Sequence, residues 1–86
     1  MSYRVEYEPE AVADLKQLPV NIRKRIVNKI NWLVQNFEQI QPIPLTENLS
    51  GFFKLRVGDY RVIYDVDRSF RVITVDRVGH RRDIYG

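Results

Sequence analysis

The chain has 86 residues, of which 44% are hydrophobic and 29% charged, with a formal charge of +3. That is the size of one domain, residues 1–86, and too apolar for a disordered segment. With no cysteine and one histidine, it excludes a disulfide framework, a thiolate or histidine-rich metal site and a cysteine nucleophile, and a Ser–His–Asp triad would have to use His80.

The first ten residues, MSYRVEYEPE, carry no apolar core of a secretory signal. No later run approaches the ~20 apolar residues of a membrane span, so a cytoplasmic protein with no membrane partner is expected. Tyr3, Val5 and Tyr7 alternate with Arg4 and Glu6, which predicts a short strand. Pro9 then stands at a first helical position, flanked by Glu8 and Glu10 near the positive end of a helix. Ala11, Val12, Leu15 and Leu18 recur at helical spacing until Pro19 interrupts. A longer helix follows, with Ile22, Ile26, Ile30, Leu33 and Phe37 on one stripe and Val27 and Val34 beside it. Arg23, Lys24, Asn28 and Lys29 point elsewhere. The two helices form a hairpin able to cover one face of a sheet.

Residues 38–50 hold Pro42 and Pro44 without any period and read as a loop, anchored by Leu45 and Leu49. Three alternating runs follow, over 52–57, 60–66 and 70–78. Gly58-Asp59 suits a two-residue type II′ turn between the first two. Arg68-Ser69 closes the turn between the second and third, and Ile84-Tyr85 reads as a last short strand. The order is an α+β fold with an N-terminal strand, a helical hairpin and an antiparallel meander.

Register places the chemistry. A turn at Gly58-Asp59 sets Val57 opposite Tyr60, Arg56 opposite Arg61 and Lys54 opposite Ile63. Phe53, Leu55, Val57, Tyr60, Val62 and Tyr64 then form the apolar face, and Lys54, Arg56 and Arg61 share the other. A turn at Arg68-Ser69 would set Arg61 opposite Asp76, Ile63 opposite Thr74 and Tyr64 opposite Ile73. Ile73 and Val75 then join the apolar side, and Asp65, Thr74 and Asp76 the cationic one. Two arginines facing each other repel; Asp76 would relieve Arg61, and an anionic ligand would relieve both. On these residues alone, a solvated face with ordinary charges remains the other reading.

Charge supports the second half of the chain as the place to look. Residues 1–50 hold six Lys/Arg and six acids, whereas 51–86 hold eight Lys/Arg, seven of them arginine, against five acids. Arginine grips phosphate at two points. The tail Gly79-His80-Arg81-Arg82-Asp83-Ile84-Tyr85 adds a second basic group. His80 suits proton transfer near neutral pH or is an ordinary surface histidine. Tyr85 can stack on a base or dock onto the core.

Leu49-Ser-Gly51, the string KLRVGDYRVIYDV from Lys54 and the string RVGHRRDIY from Arg77 resemble the RelE/ParE superfamily of bacterial and archaeal toxins, the RelE branch in particular. The resemblance covers nearly the whole chain. It implies a compact fold like that of microbial ribonucleases. It further implies the toxin of a type II toxin–antitoxin system, which enters the ribosomal A site and cuts mRNA without metal or other cofactor. In that chemistry the ribose 2′-hydroxyl attacks the adjacent phosphate, leaving a 2′,3′-cyclic phosphate and a 5′-hydroxyl.

By position, the resemblance gives Lys54 the role of base or charge stabiliser. A lysine serves as a base only where neighbouring cations or burial favour its neutral form. Arg61 matches an arginine that holds the phosphate, Arg81 an acid or transition-state clamp, and Tyr85 the aromatic that stacks on a nucleotide. His80 is a second possible acid, and Arg56, Arg77 and Arg82 are further cations expected to bind RNA phosphates. Some relatives carry two lysines on the first strand of the meander; here the first is Phe52. No further C-terminal helix is expected, which would leave the site more open than in members that carry one. The implied partners are a cognate antitoxin, the ribosome and mRNA, and operator DNA only through the antitoxin complex. The alternatives within the resemblance are a ParE-like inhibitor of DNA gyrase and a non-catalytic antitoxin-binding module. ParE-type members generally lack the Lys/Arg/Tyr set.

Overall fold

A computed structural model describes residues 2–45 and 51–85, the last of these by its backbone. The anchoring role expected of Leu49 and the ring of Tyr85 lie outside the described residues. The elements in order are β1 (Arg4–Tyr7), α1 (Pro9–Lys16), α2 (Val20–Asn36), a 3-10 turn (Phe37–Gln39), β2 (Ile43–Pro44), β3 (Phe53–Val57), β4 (Tyr60–Asp67), β5 (Val72–His80) and α3 (Arg81–Tyr85). They build one sheet in the order β1-β5-β4-β3-β2. β1 lies parallel to β5 and the other neighbours are antiparallel. The expected α+β architecture of strand, helical hairpin and meander is therefore present.

Each helix follows from its sequence. Pro9 opens α1, Glu10 sits in its first turn and Lys16 in its last, both matched to the helix dipole. Pro19 caps the start of α2 and so separates the two helices. Ile26, Ile30 and Leu33 are fully buried along α2, each burial contributing roughly 1.5–3 kcal/mol. With Ala11 and Leu15 of α1, Ile26 and Ile30 cover Val57, Val62, Val75 and Val78. Leu33 and Phe37 cover Tyr3, Tyr64 and Ile73 in a second cluster. The stripe read from the sequence is the stripe that packs.

Two segments differ from their expected form. The 38–50 loop contains β2, which pairs Ile43 with Lys54 and Pro44 with Phe53. Proline is tolerated there because β2 is an edge strand whose outer side needs no N–H. Ile84-Tyr85 lies in a helix rather than a strand. His80 Nδ1 accepts the backbone N–H of Arg82 at 3.2 Å and so caps the first turn of α3.

The β3–β4 register is the expected one: Val57 opposite Tyr60, Arg56 opposite Arg61 and Lys54 opposite Ile63. Gly58 has φ +59°, as the first central position of a type II′ turn requires. The β4–β5 register differs. Arg61 faces Gly79 and not Asp76, Ile63 faces Arg77 and not Thr74, and Tyr64 faces Val75 and not Ile73. One cause is a longer turn. Asp67 Oδ1 accepts the N–H of Phe70 at 3.0 Å, Arg71 takes a left-handed φ of 57°, and β5 begins only at Val72. That moves the pairing by two residues and leaves every side chain on its expected face. The other cause is a bulge opposite Ile63/Tyr64 that leaves Asp76 without a partner on β4. Beyond it the alternation flips, so that Val78 joins the core.

Candidate functional site

Lys54 and Arg56 of β3 and Arg61 of β4 project from the sheet face opposite the one packed on α1 and α2, because Leu55, Val57 and Val62 take the helix-covered side. Lys54 and Arg61 are half-buried and Arg56 is exposed. Two guanidinium groups thus start from directly opposed positions, an arrangement that an anion between them would stabilise. Arg61 is further fixed by the turn. Its Nη1 donates to the carbonyls of Gly58 at 2.9 Å and Tyr60 at 3.0 Å. Among the described residues its Nε and Nη2 make no hydrogen bond, which leaves the other edge of the fork for a ligand.

The start of α3 is tied to the same turn. The N–H of Arg81 donates to Asp59 O at 2.9 Å. A Cβ added at Gly79 would lie 3.4 Å from the Ile84 side chain. Gly79 is the partner of Arg61, so α3 folds back over the side of the sheet that carries Arg61. Arg81 and Arg82 are exposed on α3, and Tyr85 stands at its end.

Two expected site residues are placed elsewhere. Arg77 grips Asp14 of α1 with two hydrogen bonds, Nε to Oδ2 at 2.8 Å and Nη2 to Oδ1 at 3.2 Å. Asp14 also accepts the N–H of Val78 at 2.9 Å, filling the edge of β5 beyond the end of β1. That carboxylate raises the Arg77 pKa further above its ordinary value, so Arg77 is bound to the helical layer as a cation. His80 pairs with Tyr60, its ring edge-on at 5.5 Å. Tyr60 packs against the helix-covered core, so the His80 ring stands on that side and not beside Lys54 and Arg61.

The bulge has a chemical consequence of its own. Asp76 lies beside Asp65, with Glu8 and Glu10 nearby, and its Oδ2 is buried with no hydrogen-bond partner among the described residues. Burial, then the neighbouring Asp65 carboxyl and the surrounding acids, push Asp76 up to about 7. Asp65 lies on the face of Arg61 but four residues along β4, about 13 Å away at ordinary strand rise. The face therefore has a cationic end and an acidic end. The expected register sets Asp76 opposite Arg61, so the pair could not be read from it, and the bulge that forms it is not written in the hydrophobic pattern. The cations on the outer surface of α2 give no signal when the charge is divided at residue 50, because the first 50 residues set them against acids that all lie outside the helix. Among the described residues there is no group of three or more His, Asp or Glu placed to hold a metal ion. None of the described helices is long and apolar enough to cross a membrane.

A family model described as "ParE toxin of type II toxin-antitoxin system, parDE" matches residues 5–85. Toxin RelG of Mycobacterium tuberculosis is 33% identical over 85 residues, which is 99% of this chain and 98% of that one. Toxin RelE3 of Methanocaldococcus jannaschii is 33% identical over 86 residues, covering 95% and 94% of the two chains. In three dimensions the fold is similar to a chain of the toxin–antitoxin complex RelBE2 from Mycobacterium tuberculosis. There the TM-score is 0.83 and the identity 30%, over 94% of this chain and 100% of that one. It is also similar to a chain of the archaeal RelE–RelB complex from Pyrococcus horikoshii, with TM-score 0.73 and 28% identity over 94% and 97%.

Proposed function

The chain belongs to the RelE/ParE toxin superfamily, with the RelE branch strongly represented among its relatives, and we propose that it is the toxin of a type II toxin–antitoxin pair that cuts mRNA on the ribosome. The observation that carries this reading is the opposed pair Arg56 and Arg61 with Lys54 on the sheet face the helical hairpin leaves uncovered, joined at the β3–β4 turn by the start of α3.

The proposed reaction needs only side chains. Lys54 stands at the 2′-hydroxyl, as base or as the charge that favours the alkoxide. The 2′-oxygen forms a bond to phosphorus, the bond from phosphorus to the 5′-oxygen breaks, and the electron pair leaves with that oxygen. Arg56 and the free edge of Arg61 hold the phosphoryl oxygens as charge accumulates on them. The 2′-hydroxyl proton passes to Lys54 or to water, Arg81 of α3 stabilises the departing 5′-oxygen, which takes up a proton from water, and Tyr85 stacks on a nucleotide. The products are a 2′,3′-cyclic phosphate and a 5′-hydroxyl. His80 is the weaker acid assignment because its ring stands against Tyr60. Arg77 is the weakest phosphate ligand because Asp14 holds it. A cognate antitoxin is the expected protein partner, in keeping with the complexes named above.

A second reading, a ParE-like inhibitor of DNA gyrase, arises because the matching family model is described as a ParE toxin. Mapping mRNA 5′ ends after induction, with and without translation, separates the two. The proposal predicts new 5′-hydroxyl ends inside coding regions that vanish when translation is blocked. Intact mRNA together with broken DNA would favour gyrase.

A further inference from the structure

α2 has a feature the candidate site does not use. Its 17 residues include four cations, Arg23, Lys24, Arg25 and Lys29, and no acid. An open cleft of about 520 Å³ runs between this helix and the end of β3, lined by Arg25, Asn28, Lys29, Trp32, Arg56, Val57 and Gly58. Lys29 Nζ lies 3.9 Å from the centre of the Trp32 ring, and Trp32 is 41% exposed. The Arg25 guanidinium rests over the β3–β4 turn, its Nη2 2.8 Å from the place a Cβ would occupy on Gly58. The three cations of the cleft make no ion pair with any described residue.

We infer that this cleft is a second RNA-binding surface, taking the phosphodiester backbone of a structured RNA beyond the strand at the candidate site. Three features of the cleft favour this occupant. The first is charge: three cations with no ion pair among the described residues, and no acid, line the cleft, with guanidinium forks suited to phosphate. The second is continuity. Arg56 lines the cleft and also stands opposite Arg61, so one polyanion can pass from the candidate site over Arg56 to Arg25 and Lys29. The third is composition. Protein interfaces are depleted of charge at their centre and anchored by buried apolar groups, whereas nucleic-acid interfaces are strongly positive and polar. Here three of the seven lining residues are cations, Val57 and the Trp32 ring supply apolar surface between them, and Trp32 already carries a lysine on its face.

The inference takes only its choice of ligand from the proposed function, and binding can be read without cleavage. The probe is a 2′-O-methylated RNA hairpin of about 20 nucleotides, which can bind but offers no attacking hydroxyl. Trp32 is the single tryptophan of the chain, so its emission reports directly on the cleft. The hairpin should quench that emission. Arg25→Ala/Lys29→Ala should weaken binding roughly tenfold or more near 0.1 M salt and flatten the plot of log affinity against log salt by about 1.5, the loss expected for two phosphate contacts. Arg4→Ala/Lys16→Ala removes equal charge from β1 and α1 and should leave both quantities nearly unchanged. Equal weakening in the two double variants would overturn the inference, since net charge alone would then explain the binding. Hairpin binding unaffected by Arg25→Ala/Lys29→Ala would also overturn it. So would a glutamate-rich peptide that binds more tightly than the hairpin and is lost in that variant, which would assign the cleft to a protein. Cleavage that depends on Arg61 while the cleft variant binds normally would defeat this inference and leave the proposed function standing.

Discussion

Arg61 leaves a strand and then turns back, its Nη1 held between the carbonyls of Gly58 and Tyr60. Those bonds immobilise a long side chain before any ligand arrives, which lowers the entropy lost on binding and keeps the guanidinium aimed. Asp76 is the opposite case, a carboxyl that the fold makes hard to ionise. Burial and the neighbouring Asp65 raise it from 3.8 to about 7. As pH rises through that interval, the folded chain retains a proton that the unfolded chain has released, so unfolding becomes easier. The thermal midpoint should therefore fall between about pH 4 and about pH 7. Asp76→Asn, which cannot ionise, should remove most of that fall and raise the midpoint at the higher pH. The same slope in both proteins, measured by thermal melts across that range, would contradict the assignment.

At the scale of elements, the β3–β4 turn does more than reverse the chain. Gly58 supplies a left-handed φ of +59°, its carbonyl binds Arg61, and Asp59 O binds the start of α3. Gly58→Ala should lower stability by about 1–2 kcal/mol, mainly through backbone strain, because the atom its Cβ would meet is the mobile tip of Arg25. Gly58→Asn should cost less, since asparagine is among the residues that primed hairpin turns accept. Equal losses for the two variants in urea titrations would show that the strain argument is wrong. The same turn explains why half the meander was legible in the sequence. Gly58-Asp59 permits one tight turn, so the partners of Lys54, Arg56 and Arg61 follow by counting. The next turn offers no such constraint: Asp67 and Arg71 stretch it by local hydrogen bonding and a left-handed residue, and the bulge at Asp76 depends on partners distant in sequence. For the same reason the α2 stripe of Ile26, Ile30 and Leu33 could be read from periodicity. The two-residue β2 and the helical form of the tail could not, because pairing with β3 and the cap from His80 create them.

For the molecule as a whole, two layers divide the work. Helices α1 and α2 bury one face of the sheet and stabilise it, which leaves the other face to carry charged side chains. That charge is not spread evenly: Lys54, Arg56 and Arg61 occupy one end of the open face and the Asp65–Asp76 pair the other. Around the edge of β3, Arg56 joins the open face to the cationic surface of α2. A polyanion is therefore favoured along one path across the molecule and repelled at the acidic end. The central claim is that the cationic end performs phosphoryl transfer. The most direct measurement is single-turnover cleavage of mRNA on programmed ribosomes, at saturating ribosome concentration, by the unaltered protein and by Arg61→Ala. The account predicts a rate ~10²–10³-fold lower for the variant, as for loss of one preorganised transition-state cation, with its melting curve and antitoxin binding retained. Cutting at the same rate by both proteins would contradict it.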